Sequence, residues 1–204
     1  MSLLQEESNV EDHLWKRFIA GDELSFYTLY DRYANKLYKY GSHFSKDKEL
    51  VKDCIHDLFL ELHKYRQKLS ETNNVQFYLY RSLRRILYKS QVKVIPLTVN
   101  ENSYFSDDHP VFSHEYYLIA EETKQEEFAA LNSAMKILTN RQREGLSLKF
   151  EHCLSYAEIA EIMGISIESA RSVIYLALKE LRKCLEEKGH TIQLILFLSR
   201  HSHS

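Results

Sequence analysis

Residues 155–185, SYAEIAEIMGISIESARSVIYLALKELRKCL, limit the fold more tightly than any other stretch of the chain. Ser155 and Glu158 have the S-x-x-E spacing of a capping box, in which each side chain satisfies a backbone donor at the start of a helix. Ile159, Ala160, Ile162 and Met163 give that helix an apolar side. Gly164 permits a tight turn, and Ser166 is placed to cap a second helix. There Ala170, Val173, Ile174, Ala177, Leu178, Leu181 and Leu185 recur at helical spacing and predict a buried stripe. Glu168, Arg171, Ser172, Tyr175 and Lys179 share the opposite face. Two readings fit. One is a helix-turn-helix whose second helix offers polar side chains to the major groove of DNA. The other is an ordinary helical hairpin with a solvated outer face.

Composition narrows the fold class. Five glycines and two prolines in 204 residues disfavour a turn-rich β fold, and 44% hydrophobic residues suffice for a core. The formal net charge of −2 does not advertise a nucleic-acid binder, but local stripes matter more than the sum. The N-terminus lacks the pattern of a signal peptide, and no apolar run approaches the ~20 residues of a membrane span. Cys54, Cys153 and Cys184 are far apart and read as reduced thiols of a cytoplasmic protein.

Residues 1–10 are polar and read as a frayed end, followed by a short helix with Leu14, Trp15, Phe18 and Ile19 on its apolar side. A helix over 23–44 is predicted by Phe26, Leu29, Tyr30, Tyr33, Leu37, Tyr40 and Phe44 at steps of three and four. Asp47 can cap the next, over 48–69, with Val51, Cys54, Ile55, Leu58, Leu62, Tyr65 and Leu69 inside. Asp53, His56, Asp57 and Glu61 lie on its other faces. From spacing alone these acids read as a solvated face, with docking of a basic partner as the alternative.

After the polar loop SETNN (70–74), a helix over 75–93 carries Phe77, Tyr80, Leu83 and Leu87 on one side. Tyr78, Arg81, Arg84, Arg85, Tyr88 and Lys89 lie on another. From Val75 to Asn100 there are five basic residues and no acid. Basic side chains contact phosphates and interleaved aromatics stack on exposed bases, which favours nucleic acid over a merely solvated stripe.

The character then changes. Residues 101–127 hold eight acids against one lysine, and Pro, Asn, Asp and Ser break any period over 95–123. Phe128, Leu131, Met135 and Leu138 mark another helix. Thr139 and Gln142 repeat the capping-box spacing before a helix over 140–150, and Gly189 ends the last long helix. The tail holds TIQLILFL and then polar residues. The fold class is therefore all-α: two small helical domains joined by an acidic linker, the second a helix-turn-helix. The divisions fall at 1–94, 95–123 (linker), 124–190 and 191–204 (tail).

The order of these motifs resembles an extracytoplasmic-function sigma factor of bacterial RNA polymerase. It runs DCIHDLFLEL, a polar loop, FYLYRSLRRILYKS, an acidic linker, LTNRQREGLSLKF, then SYAEIAEIMGISIESARSVIYLALKELR. The resemblance spans about 14–185. It implies a first domain that binds core polymerase and melts the −10 element, and a second that reads the −35 element. The family's D-L-V-Q-E-V-F-L pattern falls on DCIHDLFL, so Asp53, His56 and Asp57, with Glu61 beside them, are implied to dock polymerase. The W-L-Y-R-I-A-R-N pattern falls on YLYRSLRR, with Arg85 in place of the usual Asn. Tyr78, Arg81, Arg84, Arg85, Tyr88 and Lys89 are thereby implied to lie along the non-template strand. The loop before them, with the amides of Asn73 and Asn74, is implied to hold a flipped base. The T-V-K-S-R pattern falls on SARSV, which places Ser169, Arg171 and Ser172 beside Glu168, Tyr175 and Lys179 at the −35 element.

The resemblance implies core polymerase and promoter DNA as partners, and an anti-sigma factor as a further one. It implies no cofactor, no metal, no small-molecule substrate, no membrane insertion and no catalysis. The alternative is a stand-alone helix-turn-helix regulator that never joins polymerase. An enzyme such as a nuclease is disfavoured, since H-E-x-x-H, P-loop and zinc-ligand spacings are missing from the sequence.

Overall fold

The computed structural model describes residues 2–45, 47–72, 74–94 and 130–187. The linker 95–123, the tail 191–204, Gly189 and Asn73 lie outside the described residues. Every regular element among the described residues is helical, so the fold is all-α. The chain divides into two units, Met1–Val99 and Asn100–Ser204.

The first unit comprises α1 (Ser2–Ile19), α2 (Glu23–Ser42), α3 (Lys48–Tyr65) and α4 (Val75–Val94). α1 starts earlier than the polar N-terminal composition suggested. α2 begins where Asp22 accepts from the Ser25 N–H at 3.2 Å and from the Ser25 hydroxyl, with Arg17 at 2.8 Å. The Ser25 hydrogen bond, aided by the Arg17 charge, holds the Asp22 carboxyl below the ordinary carboxylate range. Asp47 caps α3 through the N–H groups of Glu49 and Leu50, as its position predicted.

Aromatic rings fill the space between these helices. Phe18 stacks on Phe26, Tyr30 meets Phe59, and Tyr40 meets both Phe44 and Tyr80 with centroids 4.8–5.6 Å apart. Such tilted and edge-on pairs add stabilisation beyond area burial. Tyr33 is fully buried, and burial with the nearby Glu11 charge pushes its phenol up, so it stays neutral. Tyr65 departs from its expected inward place and is 43% exposed. The α-helix stops there and tightens into a 3₁₀ turn over Arg66–Lys68, which carries the chain off the buried stripe. Its ring lies under the ammonium groups of Lys64 and Lys68 instead.

The second unit contains a helical stretch over 130–135 (α5), α6 (Asn140–Leu146), α7 (Tyr156–Met163) and α8 (Ile167–Glu187). Leu131, Met135 and Leu138 are buried. Both predicted capping boxes form, Thr139 with Gln142 and Ser155 with Glu158. The helix expected over 140–150 is α-helical only to Leu146 and then widens into a π turn over Ser147–Glu151. The His152 N–H reaches back five residues to the Ser147 carbonyl at 3.2 Å, while the Ser147 hydroxyl donates to Glu151. Buried Arg143 ties α6 to the preceding turn by donating to the Met135 carbonyl and the Asn140 side chain. Among the described residues no helix is long and apolar enough to cross a membrane.

Candidate nucleic-acid interface

Gly164 makes the turn between α7 and α8. It adopts φ 65° and ψ 41°, and its N–H and that of Ile165 both return to the Ala160 carbonyl. A side chain there would meet no atom within 4 Å, so glycine is favoured by the left-handed backbone rather than by space. The Ser166 hydroxyl accepts the Ser169 N–H at 3.1 Å and starts α8, as predicted. Ala170, Ile174, Ala177, Leu181 and Leu185 are buried, and α8 packs against α6 and α7. Gly145 on α6 allows the close approach, since a Cβ there would lie 3.3 Å from Val173 Cγ1 and 3.4 Å from Ile174 Cγ1.

Glu168, Ser169, Arg171, Ser172, Tyr175 and Lys179 are all exposed on α8. Tyr175, at 66% exposure, holds a large ring in solvent. The Ser169 hydroxyl lies 2.9 Å from that of Ser166, and the Ser172 hydroxyl donates to the Glu168 carbonyl. Both are rotatable donors that can be exchanged for an outside acceptor. Two residues that sequence reasoning missed join this face. Tyr156, at the start of α7, has Arg171 over its ring at 5.6 Å and Lys149 at 4.7 Å. Lys149 also donates to the Leu154 carbonyl at 3.2 Å. The stretch Lys149–Ser155 offered no periodic signal for this grouping, because it arises from the π turn and the loop that follows.

In the first unit, Asp53, His56, Asp57 and Glu61 are exposed along α3, around the 53% exposed Leu60. Leu60 was not singled out from sequence, although it breaks the buried spacing of Ile55, Leu58 and Leu62. Burial pushes the Cys54 thiol up, against the hydrogen bond with Ser90, and Asp57 and Asp53 push the same way.

On α4, Arg81, Arg85 and Lys89 are exposed, while Tyr78, Arg84 and Tyr88 are half-buried. Tyr78 packs on Trp15 with centroids 5.4 Å apart, and Tyr88 packs on Phe44. Arg84 donates to the Tyr88 hydroxyl at 3.1 Å and lies 4.5 Å above its ring. Tyr88 thus meets the core through Phe44 and the basic face through Arg84, while Tyr78 is half-buried against Trp15. Asn74 accepts the Phe77 N–H through Oδ1 at 2.9 Å, so it caps α4 as well as bordering the loop.

A helix-turn-helix unit preceded in the chain by a second all-helical unit with one acidic and one basic helix face is the class these observations define. Residues 29–91 match the family model for sigma-70 region 2, and residues 128–181 match that for sigma-70 region 4. The chain is similar to the RNA polymerase sigma factor SigZ of Bacillus subtilis, 23% identical over 167 residues, covering 79% of this chain and 88% of the relative. Among solved structures it is similar in fold to CnrH, seen in complex with the cytosolic domain of CnrY, at 17% identity and TM-score 0.57, covering 87% of this chain and 97% of that one. It is also similar in fold to the sigma factor RpoE of Bartonella quintana, seen with the anti-sigma factor NepR, at 17% identity and TM-score 0.53, covering 79% and 96%. The chain belongs to the sigma-70 family: it is an RNA polymerase sigma factor with the two-region layout of the extracytoplasmic-function group. Its partners are accordingly RNA polymerase and promoter DNA.

Proposed function

We propose a division of labour within this sigma factor. Residues 1–94 bind core polymerase through Asp53, His56, Asp57 and Glu61 and open the −10 element along α4 and the loop before it. Residues 124–190 read the −35 element through Glu168, Ser169, Arg171, Ser172, Tyr175 and Lys179. The acidic linker 95–123 joins the two. The observation that carries this reading is the sidedness of α8: its predicted polar face is exposed throughout, while of the predicted apolar stripe Ala170, Ile174, Ala177, Leu181 and Leu185 are buried and Val173 and Leu178 half-buried. That is the arrangement a recognition helix needs in order to enter a groove without rearranging its domain.

At the −10 end, Tyr78, Arg81, Arg84, Arg85, Tyr88 and Lys89 follow the non-template strand, with cations on phosphates and ring edges beside the bases. Asn73 and Asn74 lie in the loop that receives an extruded base, whose unstacking costs a few kcal/mol that a shaped pocket offsets. The chain itself performs no catalysis and works in the cytoplasm, where polymerase is. The RpoE fold neighbour, seen in complex with the anti-sigma factor NepR, supports an anti-sigma factor as a further partner for this chain.

Reconstitution tests the reading. The purified chain is expected to co-elute with core RNA polymerase and to give promoter-dependent run-off transcripts from genomic fragments. Salt-sensitive binding of the chain alone to duplex DNA, without polymerase association, would favour the stand-alone regulator. Arg171→Ala is expected to weaken −35 binding by roughly tenfold to a hundredfold, the worth of one good bidentate contact, with core affinity unchanged. Competition of the two holoenzymes for promoters with intact and scrambled −35 elements measures this. Equal loss of core and −35 binding would remove Arg171 from the readout.

A further inference from the structure

We propose that Trp15 on α1 is a positioning residue for −10 recognition, setting the loop between α3 and α4 from beneath. The proposal rests on the reading that this loop holds the extruded base. Trp15 is 1% exposed, and its indole N–H, a donor with no acceptor capacity, reaches the Ser70 carbonyl at 3.2 Å across 55 residues of sequence. Its ring also packs on Tyr78 at 5.4 Å, on the opposite side of the loop from Ser70 in sequence. One buried side chain therefore touches both the entry to the loop and the first turn of the helix that leaves it.

Other contacts brace the same segment. Lys16, next to Trp15, pairs with Glu71 at 3.2 Å on the surface. Within the loop the Thr72 hydroxyl accepts the Asn74 N–H at 3.2 Å and lies 3.3 Å from the Asn74 carbonyl. Asn74 in turn caps α4. Trp15 is thus hydrogen-bonded to the start of the loop at Ser70, and two residues further along the backbone Thr72 and Asn74 are hydrogen-bonded to each other. The tie at Ser70 uses a backbone oxygen, so it holds whatever side chains the loop carries. Discrimination of an extruded base requires its pocket to keep its geometry to within about 0.5 Å, and an exposed loop needs a buried anchor to do so.

Trp15→Phe keeps the ring packing and removes the donor. Holoenzyme is assembled from core polymerase and the full-length chain. Run-off transcription is then compared on a promoter it selects and on the same promoter with one −10 base replaced. The variant is expected to unfold somewhat below the wild-type midpoint but to stay folded at the assay temperature and bind core equally well, while the transcription ratio between the two promoters falls about three- to tenfold, the worth of one net hydrogen bond. Thr72→Gly, which loosens the loop from within, is expected to lower the same ratio. If Thr72→Gly lowers it and Trp15→Phe does not, the anchoring role is overturned while the loop reading stands. If neither changes it in holoenzymes that still transcribe, the loop reading fails and the proposal with it. Lys16→Glu tests the anchor from the surface without touching the core. It should lower the ratio less, and Glu71→Lys in the same chain should restore it.

Discussion

Reversing both Asp53 and Asp57 to lysine is expected to weaken binding to core RNA polymerase by about a hundredfold or more, while the chain unfolds at or above its wild-type midpoint. The fold should be indifferent, because both carboxylates are exposed and the packing of α3 rests on Val51, Cys54, Ile55, Leu58, Phe59 and Leu62. In the native helix Asp53, Asp57 and Glu61 repel at i,i+4 spacing by roughly 0.2–0.5 kcal/mol per pair. Asp57→Lys turns the second of those pairs attractive, so a small gain in stability is the expected sign. At a docked interface the reversal acts differently. Two unit charges at 4 Å interact by about 4 kcal/mol at an effective dielectric constant of 20, and reversal converts that attraction to repulsion. A hundredfold loss is about 2.7 kcal/mol, well inside what two reversed contacts can supply. Titration of labelled chain into core polymerase at low and high salt measures the effect. The wild-type complex should weaken with salt and the variant much less so. Unchanged affinity of the double variant would remove α3 from the docking surface.

What was legible in the sequence followed the range of the interaction. The helix-turn-helix could be read in detail, because capping boxes, a left-handed glycine and a 3.6-residue stripe are all set within a few residues. Both capping boxes and the αL turn at Gly164 form as written. The acidic face of α3 shows the limit of spacing. Exposure is common to a solvated face and a docking face, so the proposal that Asp53 and Asp57 dock polymerase rests on the resemblance to the family pattern, not on the period. Tyrosine was the hardest residue to place. Period gives the direction of a ring but not its depth, so Tyr78 and Tyr88 read as base-facing although each also packs on the core, and Tyr65 read as core although it is exposed. Contacts between distant segments left no local trace. Lys149 and Tyr156 beside Arg171, and Trp15 beneath Ser70, exist only once the helices are assembled.

Gly41 belongs to the same class of long-range constraint and gives the second large effect. Glycine inside a helix costs about 1 kcal/mol relative to alanine, so its place near the end of α2 calls for a compensating gain. The gain is close approach. A Cβ at position 41 would lie 2.7 Å from Val51 Cγ1 on α3, 3.7 Å from Leu87 Cδ1 and 3.8 Å from Leu83 Cδ2 on α4. Val51 is fully buried and β-branched, with few rotamers into which it can retreat. Gly41→Val is therefore expected to destabilise the first unit by about 2–3 kcal/mol, in the range of an overpacked core, as read by urea unfolding of the full chain. Gly41→Ala should cost less, because its gain in helix propensity offsets part of the clash. If contact with Val51 is the cause, Val51→Ala combined with Gly41→Ala should be more stable than the sum of the single effects predicts, since the truncation at 51 makes room for the methyl added at 41. Additive behaviour of the pair would place the strain elsewhere, and a Gly41→Val chain as stable as wild type would mean that α2 can move away from α3 without loss. That motion is the one the function can least tolerate, because α3 and α4 carry the proposed polymerase-docking and −10 faces on the outside of the same packed layer.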